Sequence, residues 1–116
     1  MSTDTRVPLR DAEAIAQELV RLLEPSCVRI IVAGSLRRVS ETVGDIDLLC
    51  EPKTRPLTDL FGDPTGEDVD ELHDLARSLE RVGVIEKRRN KNGIASWGRH
   101  LKRAVYRGMS VDLQAV

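Results

Sequence analysis

The sequence predicts an α+β fold, a mixed sheet of about five strands with two main helices on one face. Three observations lead there. Two segments place apolar residues at intervals of three and four, the period of an amphipathic helix. Short β-branched or alternating runs, bounded by Gly, Pro and Asn, read as strands. The chain order is helix, two strands, helix, three strands, which describes a shared sheet with helices packed against it.

The first helix is expected over 9–24, with Ala12, Ile15, Leu19, Leu22 and Leu23 on its inner face. Pro25 ends it, because the residue before a proline is pushed out of helical geometry. CVRIIVAG (27–34) follows as a buried strand, then a polar stretch, then DIDLLC (45–50) as a second strand. Residues 52–66 hold three of the five prolines and two glycines, and read as a loop or insertion. Thr65 with Asp68 resembles a capping box, so the second helix is expected from there to about Val82, with Val69, Leu72, Ala76 and Leu79 inward and Gly83 as the stop. VIEKRR (84–89), the turn NKNG (90–93) and HLKRAVYR (100–107) suggest a basic hairpin over 84–107, and SVDLQAV (110–116) a last strand after a turn at Arg107-Gly108-Met109. With no internal repeats, residues 1–116 are expected to form one domain.

Of the 116 residues, 41% are hydrophobic and 32% charged, which excludes a disordered tail. No apolar run approaches the ~20 residues of a membrane span, and no apolar stretch follows the first charges as in a secretory signal. Cys27 and Cys50 form neither a CxxC pair nor a disulfide framework, and are expected as small core residues in a cytoplasmic protein. The net charge of −1 conceals a division. Residues 1–86 carry 10 Lys+Arg against 18 Asp+Glu, whereas residues 87–116 carry 8 against 1. Such asymmetry suits a polyanionic partner for the basic part. Its single acid is Asp112.

Asp45 and Asp47 lie two apart in a predicted strand, so both project from one face while Ile46, Leu48 and Cys50 point into the core. Neighbouring carboxylates repel unless a cation neutralises them, and hard oxygen ligands suit Mg²⁺ or Mn²⁺. Exposed acids at a strand edge are the other reading. Upstream, Gly34-Ser35 follows directly on a strand, with Arg37 and Arg38 next and Gly44 just before the pair. Backbone N–H groups, a hydroxyl and a guanidinium there suit phosphate oxygens. A phosphate cradle beside metal-binding carboxylates is what nucleotidyl transfer requires.

GSLRRVSETVGDID (34–47) resembles the signature of family X DNA polymerases, the DNA polymerase beta group, in which a GSxRR element precedes GDxD. The chain order matches that family's palm, with Asp112 in Val111-Asp112-Leu113 at the place of its third aspartate. The resemblance implies a nucleotidyltransferase fold and a two-metal mechanism that adds a nucleotide from a dNTP or NTP to a 3′-hydroxyl of a DNA primer or gap. It implies that Asp45 and Asp47 hold both Mg²⁺ (or Mn²⁺) ions. Asp112 would hold one ion and take the proton of the attacking hydroxyl. Ser35 and Arg38 would contact the β- and γ-phosphates, helped by the backbone at Gly34 and Gly44, with Arg37 structural. Small phage- and prophage-encoded proteins are similar, which would place such a protein in the host cytoplasm.

Two departures shape the expectations. Family members carry an arginine two residues before the third aspartate, where this chain has Ser110, and Arg107 is the candidate to compensate. The chain ends four residues after Asp112, so a bare palm is expected, either as a piece of a longer protein or as a minimal nucleotidyltransferase whose template grip comes from a protein partner. Lys87, Arg88, Arg89, Lys91, Arg99, Lys102, Arg103 and Arg107 fall within 21 residues without an acid. They are expected to track a DNA backbone, the alternative being a solvated hairpin that balances the acidic body. Trp97 either packs on the core or stacks on a base, and His73 and His100 are expected at the surface. Besides the polymerase-type enzyme, two readings stand: a catalytically inactive palm that binds DNA or nucleotide, and a minimal nucleotidyltransferase with another acceptor.

Overall fold

A computed structural model of the chain describes residues 7–33, 42–43 and 45–116. Its centre is β4 (Asp45–Pro52), where strict alternation fixes both register and facing. Ile46, Leu48 and Cys50 are fully buried, while Asp45 and Asp47 point the other way. A slip of one residue would bury two carboxylates and expose three apolar side chains, each worth roughly 1.5–3 kcal/mol when buried. That strand is flanked by β2 (Cys27–Ala33), antiparallel, and by β9 (Met109–Ala115), parallel. Beyond β9 lie β8 (Leu101–Tyr106) and the short β7 (Glu86–Lys87), both antiparallel to their neighbours. The five described strands of this sheet run in the order β2-β4-β9-β8-β7, which is the mixed α+β arrangement expected.

One face of the sheet is covered by α1 (Leu9–Leu23) and α2 (Glu71–Arg81). From α1, Ala12, Ala16, Leu19, Val20 and Leu23 enter the core. Leu22, expected inward, is partly exposed instead. Leu72 and Ala76 of α2 meet the same cluster, as do Met109, Val111 and Leu113 of β9. Cys27 and Cys50 are free and buried there, as small core residues. The hydrogen bond between them pushes the Cys27 thiol down to about 7 and the Cys50 thiol up.

Two short turns set the edges. After α2, Gly83 at φ +83° donates to Glu80 O, and Val84 donates to Leu79 O, a Schellman stop that requires a left-handed residue. Arg107 and Gly108 both have positive φ between Tyr106 and Met109, the two-residue hairpin turn whose twist matches its strands. Arg107 there donates to Glu18 of α1, as does the Tyr106 hydroxyl. These bonds hold the Glu18 carboxyl below its ordinary value and tie helix to turn.

The stretch 52–66 is not an irregular loop. β5 (Thr54–Thr58) and β6 (Pro64–Asp70) form an antiparallel ribbon, exposed for most of its length, with Leu60 and Phe61 bare at its tip. Its prolines are tolerated because a two-stranded ribbon leaves outward N–H positions unpaired. This ribbon also corrects the second helix. Thr65 donates to Leu57 O across the ribbon and Asp68 pairs with Pro56, so neither caps a helix. The cap is Asp70, whose carboxylate accepts from His73 N–H at 2.9 Å. A further ribbon joins β1 (Val7–Pro8) to β3 (Thr42–Val43).

Candidate active site

The face of the sheet turned away from α1 and α2 gathers the acids. Asp47 is the register partner of Asp112, and Asp45 that of Ser110, on the parallel pair β4–β9. Side chains at such positions share a face on strands about 4.8 Å apart. Asp47 carries the electrostatic consequence. Burial, then the Asp112 and Asp45 carboxylates, push its carboxyl above the ordinary value of 3.8, against the opposing pull of Arg88. A carboxylate destabilised by its neighbours is one that a cation would stabilise.

In this structure the cationic neighbour is a side chain. Arg88, just past β7, reaches both ends of the cluster, 3.2 Å from Asp112 Oδ1 and 3.6 Å from Asp45 Oδ1. Its backbone N–H donates to Arg103 O, which continues the β7–β8 ladder and aims the guanidinium across β8 toward β9. Arg88 thus supplies the charge that Ser110 lacks. Arg107, the compensation expected from sequence, is committed to Glu18. The signal for Arg88 was strand parity, since Ile85 is buried and alternate residues 86 and 88 fall on the acidic face.

The sheet also positions the approach to these acids. Ala33, the last residue of β2, is the register partner of Asp47, and Thr42–Val43 re-enters two residues before Asp45. The expected phosphate-binding residues Gly34, Ser35 and Arg38, with Arg37 and Gly44, lie outside the described residues.

The basic arm does not form one surface. Arg103 is exposed on the acidic face, directly across from Asp112. Lys102 is a correction to the DNA-facing set. It is 2% exposed on the helix side opposite Leu113, and its ammonium donates to Gly98 O at 2.8 Å. Burial there lowers its pKa. Lys87 also turns to the helix side, opposite Ala104, with its ammonium 5.6 Å from the Trp97 ring centroid. Arg89 donates to Gly93 O in the turn, while Lys91 and Arg99 are exposed. Trp97 packs against the core cluster. His100 is at the surface as expected, but His73 is half-buried with its Nδ1 enclosed.

Among the described residues, no group of three or more His, Cys, Asp or Glu side chains is arranged to hold a metal ion. Arg88 stands between Asp45 and Asp112 instead. Asp45, Asp47 and Asp112 nonetheless share one face of the sheet, and oxygen ligands of this kind are the type a hard divalent cation takes.

A mixed sheet backed by two helices, with acids on two adjacent parallel strands at its open face, defines a palm of the nucleotidyltransferase type. The family model for the DNA polymerase beta palm matches residues 6–112, and the chain belongs to that family. No curated protein matches the chain at a significant level.

Proposed function

We propose that the chain is a metal-dependent nucleotidyltransferase that adds a nucleotide from a dNTP or NTP to a 3′-hydroxyl of DNA. The observation that carries this reading is the pairing of Asp47 with Asp112, beside Asp45, on a palm of this family. Asp45 and Asp47 would hold Mg²⁺ or Mn²⁺, with Asp112 as a further ligand to one ion. The chemistry supplied by such ions is neutralisation of the triphosphate and of charge on the attacking and leaving oxygens. Asp112 accepts the proton of the 3′-hydroxyl as its oxygen bonds to the α-phosphorus and pyrophosphate departs. Gly34, Ser35, Arg38 and Gly44 would hold the β- and γ-phosphates. Arg103 and the exposed Lys91 and Arg99 contact the DNA backbone.

A second reading, a palm that binds DNA or nucleotide without turnover, draws on the guanidinium lodged between Asp45 and Asp112. Labelled-nucleotide incorporation into gapped DNA, with Mg²⁺ or Mn²⁺ and with Asp47→Ala alongside, separates the two. Incorporation lost in the variant supports the enzyme. DNA binding with no incorporation by either protein supports the binding module.

A further inference from the structure

The helix-covered side of the sheet carries a second concave site. A cleft of about 390 Å³ opens between α2 and the β7 edge, lined by His73, Arg77, Glu80, Arg81, Lys87 and Trp97. Strand parity places it back to back with the acids. Lys87 lies opposite Ala104, itself opposite Val111, and Trp97 bridges to Lys102, opposite Leu113. Ala104, Val111, Lys102 and Leu113 are all buried on the helix side. Asp47 and Asp112 are on the other side.

The cleft is predominantly cationic among the described residues. His73, Arg77 and Arg81 are spaced four apart and so form one stripe of α2. No salt bridge among the described residues engages Arg77, Arg81 or Lys87, and Glu80 is the one acid of the lining. His73 Nδ1, at the wall, is enclosed with no hydrogen-bond partner among the described residues. Burial, and after it the Lys102 charge, lowers the His73 pKa, so the ring is neutral at pH 7. Trp97 contributes an indole surface with Lys87 over its ring. Guanidinium pairs select phosphate oxygens, indole selects a flat π system, and the volume falls within the usual range for small-ligand sites.

We propose that this cleft binds a phosphorylated nucleoside, with the phosphate on Arg77 and Arg81 and the base against Trp97. The ligand is either a free nucleotide or one unit of a single strand. The inference does not rest on catalysis at the acidic face, and it gives Lys87 a role away from that face.

Trp97 is the chain's single tryptophan, so its fluorescence reports on the cleft directly. The full chain is titrated with dTMP, with a short oligo(dT) and with inorganic phosphate. Saturable quenching by dTMP or oligo(dT) is expected, weakened at least ~10-fold in Arg77→Ala/Arg81→Ala. Tighter binding of oligo(dT) than of dTMP identifies a strand as the source, and equal binding identifies a free nucleotide. The arginine variant is checked for an unaltered melting transition, since both side chains project from an exposed helix face. No saturable quenching, quenching indifferent to the two arginines, or an equal response to phosphate alone overturns the proposal.

Discussion

Arg88 and Asp112 are 24 residues apart in sequence, yet the guanidinium donates to the carboxylate at 3.2 Å. The same side chain reaches Asp45 at 3.6 Å, so one cation spans two strands of the acidic face. The contact is 29% and 20% exposed at its two side chains, which leaves it only partly screened by water. Geometrically it stands in for an arginine on β9 itself. A residue just past the edge strand performs the task across β8, because its backbone bond to Arg103 continues the β7–β8 ladder.

Replacing that arginine separates two effects. Arg88→Ala removes a positive charge from between Asp45 and Asp112, so Mn²⁺ binds more tightly, as titration calorimetry measures. The carboxylates lose their positioning at the same time, and nucleotide incorporation falls roughly 10–100-fold. Arg88→Lys restores part of the charge without the planar fork, and falls between wild type and alanine.

Asp47 makes the fold pay for its site. A carboxyl whose folded pKa is raised binds its proton more tightly folded than unfolded, so stability declines as pH rises from 3.8 toward the folded value. The penalty is fully present once the pH exceeds that folded value. Asp47→Asn therefore melts higher than wild type at pH 7 without divalent ions, and the difference closes below pH 3.8. Added Mg²⁺ raises the wild-type melting temperature more than that of the variant. Differential scanning fluorimetry across pH reads both.

Arg103 and Lys102 are neighbours with opposite fates. Arg103→Ala lowers DNA affinity and reduces the slope of log K against log salt by about 0.9, the loss of one phosphate contact. Lys102→Met, which keeps the buried stem, leaves that slope unchanged. Fluorescence anisotropy over a salt series distinguishes them.

The centre of the fold was legible because its signal has period two. Ile46, Leu48 and Cys50 alternate with Asp45 and Asp47, and no other facing of β4 is affordable in free energy. Asp112 was legible as the one acid in a basic tail. The start of α2 was not, because Thr65 and Asp68 have the residue types of a cap but are claimed by partners across the ribbon. Charge counting likewise grouped Lys102 with Arg103, whereas strand parity, read back from Tyr106 and Ala104, sends Lys102 inward. Arg88 was visible as a basic residue, but its partner depended on a register that local sequence does not carry.

The most direct test of the account is single-nucleotide incorporation into gapped DNA in Mg²⁺, under single-turnover conditions, by wild type, Asp47→Asn and Asp112→Asn. Wild type is expected to show measurable incorporation, and each variant a fall of about 10³-fold, equivalent to ~4 kcal/mol of barrier. Undiminished incorporation by either variant would contradict it.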